Sequence, residues 1–336
     1  MATKLPLVLQ VLLQFREELL GQEAAQMDDM ASHWLGVEDR LEVYIAALAD
    51  RIAVLTASGE VITQSQIFRL ERFQSLMAQA EREILRYADW ADDLITGKQA
   101  EWAKLGLQSA AEAIVAAQME GGITVGGFER LPVEAVETMA GLLSDGSPLM
   151  TLLEDSWNTS ADGLAQALVN ATALGENPRV TARLMRDGLS NGLDRMLNIA
   201  RTEQLRAYRE ASRAEYKESG VVTTYKRLAA QDDRTCLACI ESDGQEYELD
   251  EPLDEHNSGR CALVPVVKGL PEVSWKSAHD WFLEQDESTQ RGMMGPGMFD
   301  AWQGGQFNLA DIVAVHHDDT WGDSVGVRSL ASLLGE

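Results

Sequence analysis

The segment DDRTCLACIESDGQEYELDEPLDEHNSGRCALVP, Asp232–Pro265, holds all three cysteines of the chain and one of its five histidines. Cys236 and Cys239 form a C-x2-C turn, His256 follows after sixteen residues, and an H-x4-C spacing leads to Cys261. A C-x2-C turn presents two thiolates to one cation, and a distant His-x4-Cys pair can complete a tetrahedron. Thiolates joined by one imidazole favour zinc over calcium or magnesium. Between the halves, Asp243-Gly244 predicts a two-residue hairpin turn, with Ile240–Ser242 and Gln245–Glu248 as its strands. The expectation is a β-hairpin stapled by Zn2+ through Cys236, Cys239, His256 and Cys261. Four protein ligands leave no position for an activated water, so the ion is structural. It would supply folding energy that so small a β module lacks.

Other uses of these residues compete with that reading. Three reduced thiols can simply pack into small β structure. A Cys236–Cys239 redox pair would start a helix in a parallel α/β fold, which this sequence does not predict. Zinc deaminases also combine one His with two Cys, but place H-x-E ahead of P-C-x-x-C. Here the order is reversed, and His256-Asn257-Ser258 lacks the catalytic Glu. Elsewhere, His316-His317-Asp318-Asp319 reads as a polar turn, because adjacent strand residues point to opposite faces. His33, beside Trp34 in a helical pattern, reads as packing. No G-x-S-x-G, H-E-x-x-H or Walker loop occurs, and the chain is not expected to be an enzyme.

On either side of the segment the character differs. Val221-Val222-Thr223-Thr224-Tyr225 is a strand signature, and small β structure is expected to about Val267. Residues 268–336 read as short helices joined by Gly-rich turns. Residues 1–120 contain one proline and read as helix throughout. A first amphipathic helix covers about Leu5–Met27 and a second about Val37–Ala57, closed by Ser58-Gly59. A third is capped by Thr63 or Ser65 and runs toward Met119, bent or interrupted at Gly97 and Gly106. Within it, Leu70, Met77, Ile84 and Ala91 recur every seven residues, as do Phe73, Ala80, Tyr87 and Leu94. That seam suits packing against another long helix, within the chain or in a coiled coil. Gly121–Gly127 is a joint without the Lys-Ser/Thr of a phosphate loop. Helical patterns return from Pro132 to Leu143, from Pro148, and from about Arg179 to Lys217, with breaks at 144–148 and 175–178. The predicted class is mainly α, with a small α+β C-terminal module. Four stretches follow: a long-helix bundle at 1–120, a helical region at 121–219, a β module at 220–270 and a short-helix tail at 271–336.

Of the 336 residues, 28 are Lys or Arg and 54 are Asp or Glu, a net charge of −26. Such a surface does not coat nucleic acid or an anionic membrane. An odd number of clustered cysteines excludes a disulfide-stapled scaffold and points to a reducing compartment. The sequence shows no signal peptide and no run of about 20 apolar residues. Residues 178–217 depart from the acidic balance, with nine basic and five acidic residues. Arg206, Arg209, Arg213 and Lys217 step by three and four along one helical face. They read as a solvated, ion-paired face, or as a local anchor for phosphate, including that of DNA, or for an acidic partner.

From 199 onward the sequence resembles the phage Mu F-like minor head, or head morphogenesis, protein family. Ile199-Ala200-Arg201-Thr202-Glu203 resembles that family's I-A-R-T-E helix. The likeness continues through Asp233-Arg234-Thr235-Cys236-Leu237-Ala238-Cys239, Asp243-Gly244, His256 to Arg260-Cys261, and Pro265. The family's usual H-P-x-C-R-C is here His256-Asn257-Ser258-Gly259-Arg260-Cys261, without the proline and the first cysteine. Trp281 to Gly305 is similar to the tail of such proteins. The likeness covers about 40% of the chain, and its specificity lies in the order of the motifs.

The resemblance implies a structural protein of the virion, made in the host cytoplasm and held inside the phage head at the portal vertex. It would act in head morphogenesis and in DNA packaging or delivery. Its partners would be the portal protein, scaffold or major capsid protein, with local DNA contact and no membrane. The competing classes are a cytosolic zinc-ribbon interaction module and a metalloenzyme or toxin linked to a head module.

Overall fold

The computed structural model describes residues 5–57, 63–123, 128–132, 135, 149–174, 176–318 and 322–335. The Ser58-Gly59 stop, most of the Gly121–Gly127 joint, nearly all of the 132–143 helix, the 144–148 break, Gly175 and Asp319 lie outside them. The chain is mainly helical with a small amount of sheet. The helices are α1 Leu7–Ala57, α2 Gln64–Phe68, α3 Glu71–Glu120, α4 Leu149–Leu174, α5 Pro178–Leu189 and α6 Asn191–Glu218. After β1, Val222–Leu228, come α7 Leu237–Glu241, β2 Glu246–Glu248 and β3 Ala262–Val267. Then follow α8 Ala278–Leu283, α9 Glu287–Met294, α10 Pro296–Gln303, a 3-10 turn at Leu309–Ile312, β4 Val313–Asp318, β5 Gly322–Val327 and α11 Leu330–Leu334. No helix among the described residues is long and apolar enough to cross a membrane.

The chain forms two compact units that do not follow chain order. One comprises Met1–Leu20, Gln99–Leu143 and Thr202–Glu336, the other Gly21–Lys98 and Ser144–Arg201. Helices α1, α3 and α6 contribute to both. This division cuts across the four sequential stretches expected from composition.

The all-helical unit corrects the N-terminal reading. In place of two helices there is one of 51 residues, α1. The stretch between the two expected helices carries Met30 and Trp34, both buried and one turn apart, which extend the apolar stripe across the acidic Asp28-Asp29. Gly36 alone costs only about 1 kcal/mol of helix propensity, too little to end a buried helix. Trp34 meets Tyr87 edge-on, and the Tyr87 hydroxyl donates to the Met30 carbonyl at 2.8 Å. His33 stacks on Trp90 at 3.9 Å, as packing. Phe73, Ala80, Ile84, Tyr87 and Ala91 of the heptad seam are buried within the chain. Thr63 forms a reciprocal capping box with Gln66, but it caps only the five-residue α2; the expected third helix is broken at Arg69-Leu70, and its long part, α3, begins at Glu71. Asn177 caps α5 with Pro178 at its first turn.

In the other unit, β1 lies between β2 and β3, antiparallel to both. Tyr225 and Tyr247 stack across β1 and β2 at 5.4 Å. Leu9 and Leu12 of α1, Ala113 and Ile114 of α3, and Tyr216 of α6 share a core with this sheet. The expected strand over 221–225 and β structure to Val267 are present. The expected hairpin at 240–248 is not. Leu237-Ala238-Cys239-Ile240 are all buried and form a helical turn, and β2 pairs with β1 instead. Four consecutive buried residues suit a helix inside a core better than a half-exposed strand, whose faces alternate. Asp243 is also no hairpin tip, for its carboxylate accepts from the Ala229 and Ala278 amides and from Trp275 Nε1. Residues 271–335 are more than a tail, because Ala278, Phe282, Phe299, Ile312 and Val325 enclose the cysteine helix. His316 and His317 lie in β4 of a hairpin, not in a turn, and His317 Nδ1 is 2.7 Å from Asp323.

Neither Gly97 nor Gly106 interrupts α3, which runs through both. Gly106 serves close approach: a Cβ there would lie 2.2 Å from the Tyr208 carbonyl oxygen, whereas at Gly97 it would meet nothing within 4 Å. Gly106→Ala is expected to destabilise by about 1–3 kcal/mol through overpacking. Gly97→Ala should be neutral or stabilise by up to about 1 kcal/mol. Urea unfolding of the two variants separates these roles.

Candidate metal centre

The first two thiols come from a single helical turn. Cys236 is the N-cap of α7, in extended conformation, and its carbonyl accepts from the Ile240 amide at 3.0 Å. Cys239 therefore follows within the same turn, its side chain directed into the core. The other half comes from the loop between β2 and β3. There the His256 carbonyl accepts from the Gly259 amide at 3.0 Å, and Ser258 sits in the left-handed region at φ 59°. A non-glycine residue there stores strain of order 1–3 kcal/mol, which surrounding contacts must sustain.

Those contacts are present. Thr202 Oγ1 of α6 accepts from the Ser258 amide at 3.0 Å. Arg209 Nη1, two turns further along α6, donates to the Gly259 carbonyl at 2.9 Å. Arg260 forms two hydrogen bonds to Asp232, at 2.6 and 2.7 Å. A Cβ at Gly259 would fall 2.2 Å from the Glu255 carboxylate, so a larger residue there would displace the buried Glu255 side chain.

Cys236, Cys239, His256, Cys261 and Glu255 cluster here and can hold a metal ion. Their ligand atoms form two close triads sharing Cys239: Cys236, Cys239 and His256, and Cys239, Glu255 and Cys261. Cys239 Sγ lies 3.2 Å from His256 Nε2 and 3.2 Å from Glu255 Oε1. The His256 ring faces the Asn257 carbonyl through Nδ1 at 2.8 Å. A carbonyl only accepts, so Nδ1 carries the proton and Nε2 is left to face the sulfurs. A cavity of about 40 Å³ opens among Cys236, Cys239, His256 and Cys261. The donor set, the imidazole orientation and the space all fit a bound cation.

Beneath the sulfurs lies Arg227 of β1, with a fully buried side chain. Its Nη1 is 3.6 Å from Cys261 Sγ, 3.8 Å from Cys239 Sγ and 3.5 Å from Glu255 Oε2. Nε and Nη2 donate to the Tyr247 hydroxyl at 3.2 and 3.1 Å, and Nη2 also pairs with the Asp254 carboxylate. Burial opposes the guanidinium charge, but Cys261 and Glu255 outweigh it and raise the Arg227 pKa. Burial likewise works against the Glu255 carboxylate, yet Arg227 and Arg209 hold it below the usual range. The hydrogen bond from Cys239, and after it His256, brings Cys236 down to about 4. Cys239 moves upward through its bonds with Cys236 and Cys261 and through burial, so the outer thiol of the pair ionises first. Burial would lower His256, but Cys236 and Glu255 raise it to about 9.

All four sequence-predicted ligands thus fall in one place. Arg227 and Glu255 escaped the sequence reading. Arg227 carries one signal, lying two residues after Tyr225 on the buried face of a strand, where a charge needs a partner. The basic stripe is corrected in part. Arg209 is only 7% exposed and serves the ligand loop. Arg213 donates to the Leu249 carbonyl at 2.7 Å and pairs with Glu210. Lys217 pairs with Asp250 at the surface, and Arg206 lines a cleft beside Asn257. A helix face apposed to a loop rich in carbonyls and carboxylates turns its cations toward them, so Arg209 is enclosed by the loop, while Arg213 stays partly exposed with its guanidinium engaged by Leu249 and Glu210. No protein-family model, curated protein or solved structure matches this chain.

Arg209→Met is expected to lower stability by about 3 kcal/mol, because Glu255 loses a buried counter-charge and Gly259 its donor. Lys217→Ala should change it by less than about 1 kcal/mol. Chemical denaturation of both tells a brace from a solvated stripe.

Proposed function

We propose that this chain is a minor head protein of a tailed phage or prophage, associated with the portal vertex and acting in head morphogenesis. The order of the motifs from Ile199-Ala200-Arg201-Thr202-Glu203 to Arg260-Cys261 carries this reading. It is supported by the way the motif segments meet, with Thr202 holding the Ser258 amide, and Asp232, just ahead of the second motif, holding Arg260. The role is structural and not catalytic, and long helices supply surface for docking onto a larger assembly.

In this reading the ion is zinc, held by Cys236, Cys239, His256 and Cys261, with Glu255 beside them. Bound there, it would tie the α7 turn to the loop ahead of β3 as a cross-link, without an open position for a reacting molecule. Arg209 and Arg213 hold the loop that supplies two of the ligands. DNA contact is not assigned to those two residues.

Two measurements test the proposal. Co-expressed with the portal protein encoded beside it, the full chain should be retained on the tagged portal at a fixed stoichiometry. No retention, together with absence from purified virions, would falsify the head assignment. Separately, the purified chain should carry about one zinc per molecule, lost in Cys239→Ser with a lowered melting temperature. Stoichiometric zinc surviving in that variant would remove Cys239 from the ligand set.

A further inference from the structure

We infer that Arg227 is a positioning residue of the metal centre: from beneath the cluster it donates N–H···S hydrogen bonds to Cys239 and Cys261, aims both sulfurs at the ion and offsets their charge. This rests on the metal reading above and adds to it a residue that binds no metal itself.

The geometry is specific to a guanidinium. Cys239 comes from α7 and Cys261 from the residue before β3, and Nη1 lies within 3.8 Å of both sulfurs. The remaining donors are held on Tyr247 and Asp254, so the direction of Nη1 is fixed from behind. The Tyr247 hydroxyl in turn donates to Asp254 at 2.7 Å, and the guanidinium stands over the Tyr247 ring. A lysine ammonium, compact and on a flexible stem, cannot grip the tyrosine and both sulfurs together. Hydrogen bonds to ligating atoms orient them, and their loss commonly weakens metal binding about 10–100-fold.

Charge balance points the same way. Buried charges need compensation. With an ion bound, three thiolates and Glu255 bring four negative charges to the site, and Arg227 meets Cys239, Cys261 and Glu255 directly while its Nη2 pairs with the partly exposed Asp254. Arg209 also acts on Glu255, and Arg16 on Cys261. Arg227 thereby offsets part of the charge of two thiolates and of the extra carboxylate of Glu255.

The test measures zinc affinity of the full chain by competition with a chromophoric chelator. The forms compared are wild type, Arg227→Lys, Arg227→Met, Glu255→Gln and the Arg227→Met/Glu255→Gln double variant. Cobalt(II) absorption reports thiolate ligation in each. Wild type should bind one ion, and Arg227→Met should bind about 10–100-fold more weakly, with a reduced sulfur-to-cobalt charge-transfer band. Arg227→Lys should fall between them. Because Arg227→Met strands Glu255, the double variant removes both charges together, and circular dichroism of the metal-free forms monitors the fold. Affinity in the double variant about tenfold or more below that of Glu255→Gln supports the inference. Affinity equal to Glu255→Gln overturns it, leaving Arg227 as the counter-ion of Glu255 alone. A wild-type chain that takes neither zinc nor cobalt defeats the metal reading itself, and this inference with it.

Discussion

A guanidinium with no exposed surface sits where β1, the α7 turn and the loop before β3 converge, and the order of the C-terminal module depends on it. Arg227 touches two sulfurs, two carboxylates and a phenol. Placing a cation in a core carries a desolvation penalty of several kcal/mol, recovered only when every partner is in position. The arrangement is therefore demanding. If the thiol turn or the ligand loop moves, a buried charge is left uncompensated. This ties the thiol turn to the sheet with or without an ion.

The same logic extends outward along α6. Thr202 and Arg209 fasten consecutive backbone groups of the ligand loop, while Arg213 and Lys217 hold the stretch just before it. The strained Ser258 and the crowded Gly259 are stable because a rigid helix grips them from one side and Glu255 fills the space on the other. Half of the ligand set is thus presented by a loop whose shape a helix imposes. The candidate metal centre sits in a core built with the C-terminal helices and is braced by α6, and is not a free-standing β-hairpin.

What the amino-acid sequence disclosed, and what it hid, follow from which interactions are local. Helix propensity and a seven-residue apolar repeat are local, and α3 and its buried seam were legible from them. So was β1, from a β-branched and aromatic run, and so was the Cys236, Cys239, His256 and Cys261 set, from chemistry at fixed spacing. The hairpin reading at Asp243-Gly244 failed because the turn signal there was real but its carboxylate is occupied by three donors distant in sequence. The split of α1 between Met27 and Val37 failed because Met30 and Trp34 carry the apolar stripe through that stretch. Arg209 looked like a surface cation because helical spacing tells which residues share a face, not what that face meets. Arg227 and Glu255 broke the rule that charges lie outside, and each became intelligible only once the other was in place.

The path of the chain has one more consequence, in biosynthesis. The unit containing the candidate metal centre takes in Met1–Leu20 as well as Thr202–Glu336, whereas the all-helical unit needs nothing beyond Arg201. At roughly 5–20 residues per second, the residues after 201 take on the order of 10 seconds or more to emerge. For that interval the apolar face of Val8, Leu9 and Leu12 has been made, but the sheet that covers it has not. The helical turns carrying Val8, Leu9 and Leu12 thus leave the ribosome well before the sheet they pack against, and are among the last to find their place.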